Sequence, residues 1–481
     1  MNKKYIPVLF CCLFLIVILA FTSIPANNFQ HYYSADTVKP SAIKAKAHLG
    51  KSMISSSGVI NFTTGLENDY YMVDSTNRIG QFYIEAKLSK FLNDNIKRIP
   101  LNISIVIDRS GSMQGIKMGY AKRAAKNIID QLKSEDIVSI VVYDNDVDTI
   151  QPPVHVIEKE KINAKINLIN PQSSTNLWGG TEQGYQFVER NYKPAFVNRV
   201  LLISDGLANV GLTDSVLIRI KVQRYKDDKG ISLSTFGVGL DYNETLMTDM
   251  AETGAGNYYF IDAPDKMTSI FNNELNGLLN VAAQNAELKI KLPKGVTIRK
   301  GYPLKFQQTE NEIIIKLRDL ASEETKAGLF TFEIDNRINE VLKFTSTLTY
   351  TDVTDGLQKS LTNENILSPV KSIEGYLTHF NKQVIEQTIL YTANERLETA
   401  MELMSKGRYN EAKKYLGDND AYLKANAIYV SADGVLMKLD SINSNYSVQY
   451  MQAEVVSADS MKKVQKANKA MNYRIRNKKH R

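Results

Sequence analysis

Cysteine is almost absent from this chain: Cys11 and Cys12 are the only two in 481 residues, and both fall inside one apolar run at residues 8–21. Everything after that run therefore lacks a disulfide, a thiolate metal ligand and a cysteine nucleophile. Histidine is nearly as scarce. Of five, only His155 lies between residues 100 and 280, in Pro152-Pro153-Val154-His155, which reads as an edge strand or loop. No serine in the same span sits in the Gly-x-Ser-x-Gly frame of a nucleophile elbow, and no phosphate-binding loop occurs. Long hydrophobic runs are missing beyond residues 8–21. Acidic residues are missing from the end of the chain: after Met461 come Lys462, Lys463, Lys466, Lys469, Arg474, Arg476, Lys478, Lys479 and Arg481 with no carboxylate among them. The net charge of +7 thus mostly reports a tail.

What is present begins with Met1-Asn2-Lys3-Lys4-Tyr5 and the apolar run, a charged start followed by a hydrophobic stretch of export-signal type. Ala20-Phe21-Thr22 offers small residues at a cleavage spacing, whereas Ile24-Pro25-Ala26 places a bulky one, so a cleaved signal and a retained membrane anchor both stand over residues 1–26. In either case Lys3 and Lys4 hold the start inside, and the rest is expected outside the cytoplasm, in periplasm, envelope or at the surface. A lipoprotein cysteine fits poorly, because little apolar sequence precedes Cys11 and its neighbours are bulky.

With 43% hydrophobic and 23% charged residues, the chain is ordinary globular material of about two to four domains. Residues 27–57 read as a linker and 58–99 as strands, with Gln81-Phe82-Tyr83-Ile84-Glu85-Ala86 alternating in the strand manner. Residues 100–280 alternate buried strands (101–107, 136–142, 198–204, 231–238, 257–261) with helices (116–133, 176–191, 214–229, 243–253, 264–279). That rhythm predicts an α/β domain with a doubly wound, mostly parallel sheet. Residues 281–371 carry short alternating strands, such as Leu342-Lys343-Phe344-Thr345-Ser346-Thr347-Leu348, and predict an antiparallel β-sandwich flanking it, to which 58–99 could contribute. Helix formers dominate 372–481. Gly407-Arg408-Tyr409-Asn410-Glu411-Ala412 resembles a tetratricopeptide-type turn, but one copy without a period is no repeat array.

Candidate chemistry gathers at strand ends, where open sheets of this type bind ligands. The strand Ile105-Val106-Ile107 runs into Asp108-Arg109-Ser110-Gly111-Ser112, presenting one carboxylate and two hydroxyls, and Gly111 and Gly115 allow the sharp turn that faces them to one point. Thr175 stands in Ser173-Ser174-Thr175-Asn176 before a helix, and Asp205 follows Leu201-Leu202-Ile203-Ser204. Alone, Thr175 would read as a helix cap and Asp205-Gly206 as a turn. Together, Asp108, Ser110, Ser112, Thr175 and Asp205 resemble the metal-ion-dependent adhesion site of von Willebrand factor A (VWA) domains. Phe236-Gly237-Val238-Gly239-Leu240-Asp241-Tyr242-Asn243 resembles the closing part of bacterial domains of that family. The resemblance covers about 100–280. It implies a Mg2+ site (or Mn2+ or Ca2+), hydroxyls binding directly and the aspartates partly through water, with an open position for a partner protein's carboxylate. Small divalent ions favour such octahedral oxygen shells.

The expected function is accordingly non-enzymatic: a cation-dependent interaction or adhesion module whose partner is a protein presenting an acidic residue. The alternative is a structural or assembly component of an envelope complex in which the metal only stabilises and the C-terminal helices hold the partner. A haloacid-dehalogenase-like phosphatase would need a second carboxylate at the position of Ser110. Trp178, the only tryptophan, could flank the site or anchor its helix in packing. The basic tail could meet anionic polymers or lipid head groups, or be a solvated helical end or a disordered terminus. Nucleic acid does not fit an exported chain, and a membrane could also be met through the N-terminal segment.

Overall fold

The structure is a computed structural model that describes residues 50–75, 78–90, 98–172, 174–205, 208–240, 242–261, 266–427, 439, 441, 443–446 and 458–478. The expected signal or anchor, both cysteines and most of the expected linker lie outside the described residues. Strands β1 (Met53–Ser57), β2 (Ile60–Leu66), β3 (Tyr70–Met72) and β4 (Ile79–Leu88) come first. Residues 53–57, read above as the end of the linker, are a strand instead. They fold back on β2 through a turn in which Gly58 takes φ +56°, pairing Ser57 with Ile60.

The alternating region follows: β5 (Leu101–Asp108), α1 (Ile116–Gln131), β6 (Ile137–Tyr143), β7 (Val147–His155), α2 (Lys159–Asn167), α3 (Leu177–Arg190), β8 (Val197–Ser204), α4 (Ser215–Lys229), β9 (Ser232–Val238), α5 (Glu244–Thr253), β10 (Ala255–Ile261) and α6 (Met267–Leu279). Its sheet has the order β10-β9-β8-β5-β6-β7, and only the edge strand β7 runs antiparallel to its neighbour. Every residue of β5, β6, β8 and β9 is buried. Their continuous apolar runs follow from being covered on both faces: Ile103, Ile105 and Ile107 pack with α1 and α6 on one side, and Val106 packs with α3 and α4 on the other. The chain leaves β5 toward β6 and later returns to β8 on its opposite flank. The sheet's order therefore reverses at β5, and a crevice forms there beyond the strand ends.

Beyond it lie β11 (Val281–Lys291), β12 (Val296–Tyr302), β13 (Gln307–Gln308), β14 (Glu312–Ala321), β15 (Thr325–Ile334), β16 (Leu342–Asp352) and β17 (Gln358–Val370). They form two sheets, β1-β2-β4-β15-β12 and β13-β14-β11-β16-β17-β3. Their inward faces share one apolar core that includes Phe62, Phe82, Phe330 and Phe344. β4 pairs with β15 along nine residues, so the strands before and after the α/β unit belong to the same sheet. Helices α7 (Ile373–Leu377), α8 (Lys382–Ser405), α9 (Tyr409–Asn426) and α10 (Ala458–Arg476) complete the fold. The turn between α8 and α9 holds Gly407 at φ +73°.

The basic tail is not a free, solvated end over its described part. On α10, Lys466 and Lys469 face Glu244, and Arg476 pairs with Glu252 of α5 and with Glu398 of α8, while Lys478 reaches Glu85 of β4. The Tyr258 amide of edge strand β10 donates to the Tyr473 hydroxyl at 3.0 Å. Four of the cations are thus paired within the molecule, and α10 covers a sheet edge that would otherwise expose pairing groups.

One buried carboxyl lacks such a partner. Glu67, which follows β2, is 7% exposed, and its Oε1 has no hydrogen-bond partner among the described residues. Burial pushes it up to about 8, from 4.5. Between those values the folded state keeps a proton that the unfolded chain releases, so stability falls as pH rises through that window and levels off above about 8. Denaturation midpoints measured at about pH 5 and about pH 8 should show that slope, up to about 1.4 kcal/mol per pH unit. Glu67→Gln should flatten it; an unchanged slope would place the proton elsewhere.

Candidate functional site at the strand ends

Three loops meet where β5, β6 and β8 end, and backbone hydrogen bonds hold them in register. The Arg109 amide donates to the Tyr143 carbonyl at 2.8 Å, the Gln172 amide to the Arg109 carbonyl at 2.7 Å, and the Asn176 amide to the Asp144 carbonyl at 2.6 Å. The Arg109 guanidinium, almost buried, ties the same loops through its side chain by pairing with Asp144 and Asp148. Helix α3 can lie close on the sheet because Gly180 and Gly184 face it: a Cβ at Gly180 would stand 2.3 Å from Tyr143 Cδ1, and one at Gly184 2.5 Å from Val106 Cγ2. The close approach sets the position of the loop that carries Thr175.

Asp108 is fully buried. Its carboxylate accepts from the Ser110 amide at 2.8 Å and from the Ser204 hydroxyl at 2.7 Å. Burial raises its pKa above the ordinary carboxylate range; hydrogen bonds from Ser204 and Ser110 oppose that rise, and the charge of Asp205 adds to it. The Ser110 and Ser112 hydroxyls are 3.0 Å apart, and the Ser112 hydroxyl donates to Asp205 Oδ1 at 2.8 Å. Ser110 and Ser112 are therefore joined to Asp205 in one chain of oxygens, with Asp108 at its base.

Thr175 comes from the third side. It is 4% exposed, its amide donates to Asn209 Oδ1 at 2.9 Å, and its carbonyl accepts from the Asn209 amide at 3.1 Å. The helix cap read as its ordinary use is taken by Asn176, whose Oδ1 accepts from the Gly179 amide. No hydrogen bond among the described residues joins Thr175 to the other four. Its hydroxyl is spent neither on the cap nor on the serine pair.

The donor set is two carboxylates and three hydroxyls, all hard oxygens. Among the described residues no group of three or more His, Cys, Asp or Glu side chains is placed to hold a metal ion. The candidate set suits an ion that accepts neutral oxygen ligands, in the way magnesium does, and does not suit one that needs imidazole or thiolate. The chemistry fits, and a cation already sits on one donor: the Lys117 ammonium bonds Asp205 Oδ2.

Lys117, Ser204 and Asn209 escaped the sequence reading. Only Lys117 carried a signal, a cation in the first turn of a helix, where the positive end of the helix dipole disfavours it. Trp178 lies in the core at 3% exposure, near Tyr185 at 6.4 Å between ring centroids, which is its packing role. His155 ends the edge strand β7.

Comparison with known proteins agrees with this architecture. Residues 102–273 match the family model of the von Willebrand factor type A domain. The chain is 33% identical over 199 residues to "Uncharacterized protein YfbK" of Escherichia coli (strain K12), which is 41% of this chain and 34% of that protein. It is 24% identical over 340 residues to inter-alpha-trypsin inhibitor heavy chain H3 of Mus musculus, 64% of this chain and 37% of that one. It thus spans only about a third of the length of each of these two relatives. The solved structure of a von Willebrand factor type A protein from Catenulispora acidiphila superposes with a TM-score of 0.66 at 14% identity, covering 89% of this chain and 99% of that one. The ArnB paralog VWA2 from Sulfolobus acidocaldarius gives 0.57 at 15% identity, covering 85% and 98%. The chain carries a von Willebrand factor type A domain, and its fold likeness extends well past that domain into the flanking strands and helices.

Proposed function

We propose that the strand-end site binds a divalent cation, Mg2+ first and Mn2+ or Ca2+ as substitutes, through Asp108, Ser110, Ser112, Thr175 and Asp205, and that it serves to hold a partner protein by an acidic side chain. What supports this is that Ser110, Ser112 and Asp205 are hydrogen-bonded in one cluster over Asp108, at the strand ends where the loop of Thr175 is tied to the segments after β5 and β6 and the neighbouring helix cap is taken by Asn176. A bound divalent ion would supply an electrophilic position for a partner's carboxylate. The residues of this chain do the rest. Asp108 is fixed by Ser204 and by the Ser110 amide, the Arg109 pairs hold the loops in place, and the Thr175 loop is held by Asn209.

The surroundings suit a protein partner. Helices α1 and α4 follow β5 and β8, so their N-termini open on the same side as the site. Both start with exposed apolar side chains: Ile116 is 69% exposed, and Val216, Leu217 and Ile220 are 51%, 48% and 44% exposed. Apolar side chains grouped on one helix face, unlike scattered ones, mark a contact surface. This reading assigns no catalytic residue, and Ser110 stands where a phosphatase of the haloacid-dehalogenase type would need its second carboxylate. The alternative, a purely structural ion with partners held by the C-terminal helices, has less support, since cations of α10 are used in internal pairs. If residues 8–21 act as an export signal or anchor, the partner is met outside the cytoplasm.

The test is capture of proteins from an envelope fraction on the immobilised chain with magnesium, with chelator, and with Thr175→Ala. Capture should disappear with chelator and weaken at least tenfold in the variant. Capture indifferent to both would move the binding surface to the C-terminal helices.

A further inference from the structure

Lys117 occupies the second position of α1, two residues after Gly115, which takes φ +77°. A cation there opposes the helix dipole, so something else must hold it. Its side chain is 28% exposed and its ammonium bonds Asp205 Oδ2, while Asp205 Oδ1 accepts from the Ser112 hydroxyl. Space for it is kept by Gly239 at the end of β9, which takes φ +82° and whose added Cβ would stand 3.1 Å from Lys117 Cε and 3.2 Å from its Nζ. The lysine thus lies among the loops after β5, β8 and β9 and reaches one of the five candidate ligands.

We propose that Lys117 is a built-in counter-cation that competes with the divalent ion for Asp205. The proposal rests on the metal reading above and adds to it a residue that sets how tightly the ion is held. With the ammonium on Asp205, the two buried carboxylates carry one net negative charge instead of two. A dication entering the hydroxyl and carboxylate cluster must share Asp205 with the ammonium or displace it, and like charges at that range repel strongly where water is scarce. The consequence is a site that fills only above a threshold of free cation and whose unfilled form stays electrostatically satisfied. A lysine can do this where an arginine would not do it as well, because its flexible stem lets a single point charge swing away.

The experiment is calorimetric titration of magnesium alone into the wild type, Lys117→Met and Lys117→Gln, with thermal unfolding of each in chelator and in magnesium. The expected result is magnesium binding at least tenfold tighter in both variants than in the wild type. Both variants should also unfold at lower temperature in chelator, where Asp205 has lost its partner, and recover in magnesium. Two neutral replacements of different shape guard against a folding defect in one. Equal or weaker binding in both variants than in the wild type would overturn the proposal and leave the metal reading standing. No binding in any of the three would overturn both. Binding in the variants alone would be the strongest form of support.

Discussion

Arg476→Ala is expected to destabilise the fold by about 3–5 kcal/mol, the cost of leaving buried charges without their partner. The side chain is 13% exposed and joins two carboxylates from different parts of the chain, Glu252 at 11% and Glu398 at 23% exposure. Burial raises the Glu398 pKa and Arg476 is the first influence that lowers it, so removing the guanidinium leaves that carboxyl desolvated and unpaired. The surface pair Arg408–Glu411 is a fitting control, since its partners are 52% and 54% exposed. Arg408→Ala should shift the midpoint little or not at all, because an exposed pair is screened by solvent. Denaturant midpoints of the two variants against the wild type decide the matter. Similar small shifts for both would mean that α10 does not bind the α/β unit to the rest of the fold.

The second large effect is a stability gap that magnesium opens between the wild type and Asp108→Asn. Without metal, Asp108→Asn should unfold within about 1 kcal/mol of the wild type, because the site loses one of two neighbouring buried carboxylates, while the amide oxygen keeps the Ser110 bond and the amide nitrogen can donate to the Ser204 hydroxyl in place of accepting from it. With magnesium at about a hundredfold over its dissociation constant, the wild type should gain about 2.7 kcal/mol by mass action and the variant nothing. Thermal unfolding with and without magnesium reads both values. A variant that gains as much as the wild type would remove Asp108 from the ligand set.

Much of this was readable from local pattern. Ile105-Val106-Ile107 before Asp108, and Leu201-Leu202-Ile203-Ser204 before Asp205, reveal buried strands because both faces of the sheet are covered, and carboxylates directly after such strands stand at its edge. β7 was hidden by Pro152 and Pro153 and by its position at the edge, where its residues are half-exposed or exposed and the apolar signal fades. Helix α2, only nine residues long, with Ile162 and Ile166 as its buried residues, gave too short a period. The pairing of β4 with β15 joins segments some hundreds of residues apart, and alternation within a strand says nothing about its neighbour. The same holds at the site. Lys117 and Asp205 meet across two loops, and the contact of Asn209 with Thr175 depends on a fold that local spacing does not encode.

The central claim is that these five oxygens hold a divalent ion, and calorimetric titration of magnesium into residues 27–481 and into the same chain with Asp108→Ala tests it most directly. One ion bound per chain in the wild type and none in the variant is the predicted result. No binding to the wild type, or equal binding to both, would contradict it.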